Sequence, residues 1–225
     1  MKTIVLDRIP FTIDREKVME RAGVLADTGL TERLIKQAGQ EARPKAMYRP
    51  AFINGRGEDH VEIEGVRFQS RVLAVNLENV ERVFPFVATC GAELEAWPDT
   101  LTGREERYFA DRIKELAYLS ALKACFEHMD ESFGPGRCSV MNPGSLEDWP
   151  LSEQRPLFEL LGDPEEAIGV KVLPSLMMYP SRTTSGIRFP SEVRFESCML
   201  CPRESCPLRK APYDPELFEK KFKPA

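Results

Sequence analysis

The sequence predicts a single α+β domain, and three observations support this fold class. Helical and strand patterns alternate along the 225 residues without a linker that would divide them. Apolar residues recur at helical spacing over residues 103–132, which indicates one long amphipathic helix. Residues 183–189 alternate with a period of two, which is typical of a strand.

Short elements fill the first half of the chain. Asp14 is a suitable N-cap for a helix that Gly23 would end, and the short runs broken by Asn54-Gly55 and by Gly57 indicate a hairpin region. The apolar run FPFVAT is predicted to be a buried strand that leads into Cys90-Gly91. The expected elements are a strand over residues 3–6, helices over 15–21 and 31–42, a hairpin region over 48–71, a helix over 77–83 and a strand over 84–89.

Longer elements follow in the second half. About half of the apolar stripe of the long helix consists of small residues, which predicts close packing against a sheet. His128 continues this stripe and is expected to be a hydrogen-bonded core residue. The expected elements are the helix over residues 103–132, a loop over 137–150 that is rich in turn formers, a short helix over 152–161, the strand over 183–189 and a charged tail after residue 206 that is peripheral or partly disordered.

Composition and charge exclude several functions. A net charge of −5 argues against general nucleic-acid binding, because phosphate recognition needs a basic surface. No apolar run approaches the roughly 20 residues that a membrane helix requires, and Asp7 and Arg8 interrupt the N-terminal apolar stretch. The sequence has no phosphate-binding G-x-x-x-x-G-K-[ST] motif and no G-x-S-x-G motif of a serine hydrolase. We therefore expect a cytoplasmic protein without nucleic-acid or membrane partners.

The cysteines divide into a scattered group and a clustered group. Cys90 and Cys125 are expected to be small buried hydrophobic residues, since the reducing cytosol disfavours a disulfide framework. The spacing C-x2-C-x4-C brings Cys198, Cys201 and Cys206 within nine residues and predicts an inorganic centre, either an iron–sulfur cluster or zinc. A fourth ligand could be Cys138, Cys90 or an exogenous group, and free or disulfide-forming thiols are the alternative.

The two faces of the predicted strand over residues 183–189 carry different residues and are expected to have different roles. A glycine inside a strand usually marks a bulge, or a place that a ligand or another backbone approaches closely, so Gly186 is a candidate contact point. One side of the strand carries Ser185, Ile187 and Phe189, and the other carries Thr184, Gly186 and Arg188. Only about a dozen residues separate this strand from Cys198, and we therefore expect the function to be located here.

A family resemblance extends over roughly residues 13–189. The order of four segments resembles the activation domain of cobalamin-dependent methionine synthase, and Thr89-Cys90-Gly91 before a long helix is similar to the Thr-x-Gly segment of that family. The four segments are Asn142-Pro143-Gly144, Asp148-Trp149-Pro150-Leu151, Met178-Tyr179-Pro180-Ser181 and Ser185-Gly186. The chain departs from the family pattern at three positions. Arg137 lies six residues before Pro143 rather than three, Ser145 replaces a tyrosine, and Arg188 replaces an aromatic residue.

The resemblance implies a long twisted antiparallel sheet with flanking helices, which we expect over residues 1–195. A cysteine-rich tail over residues 196–225 lies beyond the resemblance. The resemblance also implies S-adenosylmethionine as a ligand, with the carboxylate of the ligand held by Arg137 or Arg188. In the family, this ligand methylates an inactive cobalamin while an electron is delivered to the cobalt. The binding residues implied here are Arg137, Pro143, Gly144, Ser145, Ser185, Gly186, Arg188 and Phe189.

Three functions follow from these patterns. The first is reactivation in trans, in which this chain serves a separate corrinoid protein or a methionine synthase that lacks the activation domain. The cobalamin would be carried by that partner, and the cysteine cluster would supply the electron. The second is a non-enzymatic module that binds a corrinoid protein, with zinc fixing the tail. The third is a redox protein that retains the fold without S-adenosylmethionine.

Overall fold

The computed structural model of the chain describes residues 2–22, 28–206 and 209–223. Within them, the α-helices are α1 Arg15–Ala22, α2 Thr28–Glu41, α3 Arg71–Asn76, α4 Ala92–Ala96, α5 Arg104–Phe133, α6 Gln154–Leu161 and α7 Pro164–Ile168. The strands are β1 Ile4–Leu6, β2 Lys45–Tyr48, β3 Ala51–Arg56, β4 His60–Ile63, β5 Val66–Gln69, β6 Arg82–Thr89, β7 Cys138–Met141, β8 Lys171–Val172, β9 Met178–Tyr179 and β10 Thr183–Pro190.

Strand β6 is the centre of one long antiparallel sheet. Thr89 of β6 pairs with Lys45 of β2 on one edge and with Thr183 of β10 on the other. Strand β3 continues along the β2 edge of β6 and then forms a hairpin with β4 and β5, while β1 pairs with β2 and β7 pairs with β10. The predicted α+β class, with a long antiparallel sheet and flanking helices, is confirmed.

Helix α5 packs on one face of this sheet. Small residues of the helix, Ala121 and Cys125, lie against Tyr48, Phe84 and Phe86 of the strands, and all five are essentially inaccessible to solvent. Small side chains let the helix axis approach the sheet closely, so the role predicted for the stripe is confirmed. His128 accepts or donates a hydrogen bond of 2.7 Å between its Nδ1 and the Tyr48 hydroxyl, which confirms a hydrogen-bonded position.

The opposite face of the sheet carries the larger core region. Val87 of β6 and Ile187 and Phe189 of β10 pack there with Trp149 and with the apolar side of α6. The first half of α5 forms a separate core region with α1, α2 and α4, in which Leu34, Leu94 and Phe109 are buried. The sheet is therefore covered by helices on both faces, and its strands can be apolar on both sides.

The helix predicted over residues 77–83 is wrong. Helix α3 begins earlier, at Arg71, because the Ser70 Oγ accepts a hydrogen bond from the Leu73 backbone NH and caps the first turn. Asp148 from a distant loop accepts two further hydrogen bonds from the same turn, at the Arg71 and Val72 backbone NH groups. The N-cap serine was the sequence signal for this start.

The loop predicted over residues 137–150 contains a strand, β7, which is a correction. Strand β7 has only four residues and lies at the edge of the sheet, where it pairs with β10 alone. Turn-forming residues on both sides hide so short a strand from a pattern of period two.

Both ends of the chain add details to these predictions. Asp14 caps α1 as predicted, because its carboxylate accepts from the backbone NH groups of Glu16 and Lys17. Gly23, the predicted end of that helix, lies outside the described residues. The peripheral position predicted for the tail is wrong for Phe222, which is fully buried against Phe195 with ring centroids 5.8 Å apart.

Candidate functional site

Gly186 of β10 lies against the end of its neighbouring strand β7, and this is the closest backbone approach in the predicted ligand-binding region. A Cβ atom at Gly186 would lie 2.4 Å from the Met141 carbonyl oxygen and 2.6 Å from the Asn142 amide nitrogen. The Asn142 amide donates a 2.7 Å hydrogen bond to the Ser185 carbonyl. The close approach predicted at Gly186 is therefore made by another segment of the same chain.

Ser185 faces the core and has an unsatisfied hydroxyl. Its side chain is 3% exposed, and its Oγ has no hydrogen-bond partner among the described residues. The same holds for the Trp149 indole nitrogen and for the Gln154 side-chain oxygen. A buried polar group without a hydrogen-bond partner lowers the free energy of unfolding by about 1–3 kcal/mol. A water molecule or a ligand group could supply the partner that each of these three atoms lacks.

The Pro143-Gly144-Ser145 segment forms a tight turn directly after Asn142. Gly144 has φ of +81°, a left-handed conformation that favours glycine, and its NH donates a 2.7 Å hydrogen bond to the Trp149 carbonyl. The Ser145 hydroxyl lies 2.6 Å from the Asn142 carbonyl and 3.1 Å from the hydroxyl of Ser197. The turn therefore connects the end of β7 to the segment that carries the clustered cysteines.

Arg188 lies on the other side of β10 and faces α5. Its Nη2 atom lies 2.8 and 2.9 Å from the two carboxylate oxygens of Asp130, and its Nη1 atom donates to the Phe126 carbonyl. The guanidinium also stacks 4.7 Å from the centre of the Phe126 ring. Only 8% of Arg188 is exposed, so these groups of α5 occupy its donors.

Arg137 is exposed and lies at the far end of β7. One guanidinium nitrogen donates a 3.1 Å hydrogen bond to the Glu192 carbonyl. Arg137 lines an open groove of about 1090 Å³ together with Phe189 and Val193. Pro190 pairs with Cys138, the residue after Arg137. It lies five positions beyond Ser185 along β10, which is a distance of about 16 Å. The structure thus groups Pro143, Gly144, Ser145, Ser185 and Gly186, and it leaves Arg137, Arg188 and Phe189 apart from them.

A charged cluster that the sequence patterns did not indicate lies where β10 begins. Lys114 and Glu95 form an ion pair of 2.9 Å with side chains only 9% and 14% exposed, and Ser181 hydrogen-bonds both residues. Beside this pair, two side-chain nitrogens of Arg182 bind the carboxylate of Asp111. Burial alone would raise the pKa of Asp111, but the neighbouring guanidinium groups hold it below its usual value. Charged residues next to the apolar stripe of α5 were the available signal.

Cys198 lies within a short 3-10 turn, Ser197–Leu200, that packs on the larger core region through Met199 and Leu200, and Cys201 and Cys206 follow this turn. Cys198, Cys201 and Cys206 are partly exposed free thiols. Across residues 2–22, 28–206 and 209–223, no three His, Cys, Asp or Glu side chains lie close enough together to hold a metal ion. The inorganic centre on these cysteines therefore stays a prediction.

Neither internal cysteine that was considered as a fourth ligand lies near this turn. Cys90 is fully buried in the core region formed by α1, α2 and α4, where burial raises its pKa to about 12. Cys138 shares a face of β7 with Val140, which packs toward α5, and burial raises its pKa as well. Of the fourth ligands considered, an exogenous group is the one that this arrangement favours, and free or disulfide-forming thiols remain the alternative to any centre.

Comparison with known proteins identifies the fold. No protein-family model and no curated protein matches the chain. Among solved structures, the chain is similar to one described as the MetH reactivation domain bound to AdoHcy, with a TM-score of 0.60 and 14% sequence identity. The similarity covers 88% of this chain and 81% of that one. The chain therefore has the fold of a methionine synthase reactivation domain.

The described part of the chain, which lacks residues 1, 23–27, 207–208 and 224–225, contains no helix that is long and apolar enough to span a membrane.

Proposed function

We propose that this protein reactivates a cobalamin-dependent methyltransferase in trans, with S-adenosylmethionine as the methyl donor. The observation that carries the proposal is the shared fold with a reactivation domain whose structure contains S-adenosylhomocysteine, the demethylated product of that donor. The partner would be a corrinoid protein, or a methionine synthase that lacks its own reactivation domain.

The reaction balances as a one-electron reduction coupled to a methyl transfer. Inactive cob(II)alamin on the partner takes up one electron from a separate low-potential donor, and the resulting nucleophilic cobalt attacks the methyl carbon of S-adenosylmethionine. The carbon–sulfur bond breaks, a cobalt–carbon bond forms, and S-adenosylhomocysteine leaves with the electron pair on sulfur. This chain has to bind the methyl donor and to present it to the partner.

The Pro143–Ser145 turn and the Ser185-Gly186 strand are the proposed binding segments. The unsatisfied Ser185 hydroxyl supports this choice, because a ligand group could supply its missing partner. For the ligand carboxylate we propose Arg137 rather than Arg188, since the donors of Arg188 are occupied by Asp130 and Phe126. Arg137 is exposed, and among the described residues its guanidinium makes a single hydrogen bond, to the Glu192 carbonyl.

Calorimetry with S-adenosylmethionine and S-adenosylhomocysteine tests the binding step. We expect heat on titration at millimolar ligand, and about tenfold weaker binding by Ser185→Ala and by Arg137→Gln. Ser152→Ala is a suitable control, because Ser152 is exposed and lies outside both segments. The absence of binding heat and of any thermal shift for the wild-type protein would remove S-adenosylmethionine from the proposal.

The activity itself is tested with a cob(II)alamin-loaded partner, a low-potential reductant and S-adenosylmethionine labelled in its methyl group. We expect label to appear on the cobalamin only when this protein is present. Equal labelling with and without the protein would contradict a role in reactivation.

A second candidate function is that of an electron-transfer module, with an inorganic centre on Cys198, Cys201 and Cys206. It is favoured by three accessible thiols on one short segment, an all-sulfur donor set that suits an iron–sulfur cluster or zinc. Iron, zinc and sulfide assays on protein purified without oxygen test it, with Cys201→Ser as the variant that should lose the centre. Wild-type protein that carries none of these elements would leave the cysteines as free thiols.

A further inference from the structure

The end of the tail forms one wall of the open groove that contains Arg137. A single π-helical turn, Phe218–Phe222, lies there, and both Lys220 and Lys221 from this turn line the groove. Other walls come from the end of β10 with the residues after it, and from the segment between α3 and β6. The groove of about 1090 Å³ is therefore assembled from segments that are far apart in the sequence.

Two contacts fix this turn on the rest of the protein. Phe222 is fully buried and packs against Phe195, which also lines the groove. The Arg71 guanidinium donates to the Phe222 carbonyl and, at 2.8 Å, to the Lys223 carbonyl. Because a buried ring and a planar guanidinium hold the two residues that follow Lys221, the position of this lysine in the wall is defined.

Several charged side chains that line the groove are already engaged by other groups. Lys220 pairs with Glu216, and Glu81 pairs with Arg56. The Arg82 guanidinium lies over two aromatic rings, with its central carbon 5.4 and 5.6 Å from their centres. The remaining charged residues of the groove are Arg137, Lys221, Glu78 and Glu192, and all four are exposed.

Lys221 has a cationic group that is bound only by neutral groups among residues 2–22, 28–206 and 209–223. Its Nζ atom donates a 2.9 Å hydrogen bond to the Asn76 side-chain oxygen and lies 5.1 Å from the centre of the Phe222 ring. Burial lowers the pKa of Lys221. An ammonium group that is partly removed from water and has no carboxylate beside it is stabilised by an anionic ligand.

Arg137 lines the same groove from the β7 side. Its guanidinium donates a 3.1 Å hydrogen bond to the Glu192 carbonyl, which leaves further donors for a ligand. Phe189 also lines the groove, and it lies on the same face of β10 as Ser185. The groove therefore lies further along the face of β10 that carries one of the proposed binding residues.

The charges of the groove match the amino-acid end of the proposed methyl donor. S-adenosylmethionine carries a carboxylate and an ammonium group on one carbon. Two cations from different walls suit the carboxylate, and the exposed carboxylates of Glu78 and Glu192 suit the ammonium group.

We propose that the end of the tail completes the ligand-binding groove, and that the Lys221 ammonium binds the carboxylate of S-adenosylmethionine together with the Arg137 guanidinium. This inference rests on the binding of S-adenosylmethionine proposed above. Lys221 lies outside the residues that resemble the activation domain, so the resemblance does not imply this role.

Calorimetry on the full-length protein tests the inference with two ligands, S-adenosylmethionine and decarboxylated S-adenosylmethionine, which lacks only the carboxylate. We expect Lys221→Gln to weaken binding of the first ligand by about tenfold, which is typical for loss of a hydrogen bond to a charged group. Binding of the decarboxylated ligand should be unchanged. Lys223→Gln is the matched control, because Lys223 belongs to the same tail, pairs with Glu219 and does not line the groove.

The outcomes separate this inference from the one on which it rests. A loss confined to Lys221→Gln and to the ligand with the carboxylate would support it. Equal losses for both ligands would show that Lys221 acts through the shape of the groove and would overturn it, as would an unchanged affinity or an equal loss in Lys223→Gln. Equal binding of both ligands by the wild-type protein would overturn the carboxylate contact and leave the proposed function standing. Binding of neither ligand would defeat the proposed function, and this inference with it.

Discussion

Gly186 lies so close to Met141 that no larger residue fits between the two strands. A Cβ atom at position 186 would be 2.4 Å from the Met141 carbonyl oxygen, well inside van der Waals contact. At the same place the Asn142 side chain, directly after β7, donates a hydrogen bond to the Ser185 carbonyl of β10. One glycine therefore fixes how the two proposed ligand-binding segments meet.

Gly186→Ala should destabilise the protein by about 1–3 kcal/mol, because the added methyl group forces β7 and β10 apart. Urea unfolding measures the effect. Gly39→Ala is the control, since a Cβ atom at Gly39 in α2 meets nothing within 4 Å. A helical Gly-to-Ala change should stabilise by roughly 0.5–1 kcal/mol. Equal effects at the two positions would contradict the close approach.

Removal of Asp130 should destabilise the protein more than removal of Arg188. Asp130→Ala leaves a nearly buried guanidinium without its carboxylate, at a cost of about 2–3 kcal/mol. Arg188→Met leaves a carboxylate that is half exposed and can be hydrated, at a cost of about 1 kcal/mol. Denaturant unfolding of both variants and of the double variant measures the asymmetry. A larger loss in Arg188→Met than in Asp130→Ala would be evidence against this account.

The Asp111–Arg182 ion pair should make stability depend on pH in the acid range. The pKa of Asp111 is lowered in the folded protein. The contribution of Asp111 to the free energy of unfolding is therefore fully present above the pKa that this carboxyl has in the unfolded chain. That contribution is lost as the pH falls through the lower pKa of the folded protein. Arg182→Gln should therefore cost up to about 1 kcal/mol near neutral pH, since the pair is a third exposed, and less below about pH 4.

Unfolding free energies at neutral and acid pH measure this difference. Lys123→Gln is the control, because its pair with Glu127 on α5 is largely exposed and should contribute little at either pH. A constant difference between wild type and Arg182→Gln across the whole range would argue against the lowered pKa of Asp111.

The six cysteines should divide by reactivity. Burial raises the pKa of Cys90 and of Cys125 to about 12, so neither should be alkylated at about pH 8 until the protein unfolds. Cys198, Cys201 and Cys206 are partly exposed and should react first in metal-free protein. Mass spectrometry of iodoacetamide-treated protein measures the order. Rapid labelling of Cys90 in the folded protein would contradict its burial.

The tail should contribute to stability through Phe222. This side chain is fully buried, and Arg71 donates hydrogen bonds to the carbonyls of Phe222 and Lys223. Phe222→Ala should cost about 3–5 kcal/mol, the usual range for a buried phenylalanine. Phe218→Ala is the control, because Phe218 is 40% exposed. Thermal or urea unfolding distinguishes the two, and equal small losses would place the tail outside the core.

The sequence by itself was sufficient for the elements whose pattern is long or sharply capped. The thirty residues of α5 and the eight of β10 show their period because each packs against a core along its whole length. Asp14 also marked the start of α1, since a capping carboxylate acts within one turn of its own position. The α+β class followed from these elements, and the resemblance added the long antiparallel sheet.

Only the tertiary structure decided which residues pack in the core and which are available to bind a ligand. The sequence did not distinguish between Arg137 and Arg188 as the residue that binds the ligand carboxylate. In the structure, α5 packs against β10, and Arg188 forms an ion pair with Asp130. Strand β7 forms because its backbone pairs with β10. Phe222 is buried because its ring packs against Phe195. Such choices depend on contacts between residues many positions apart, and a local pattern carries no information about them. For the same reason, the hydrogen bonds from the Arg209 guanidinium to the backbone carbonyls of Cys198, Cys201, Arg203 and Ala211 could be found only in the folded chain.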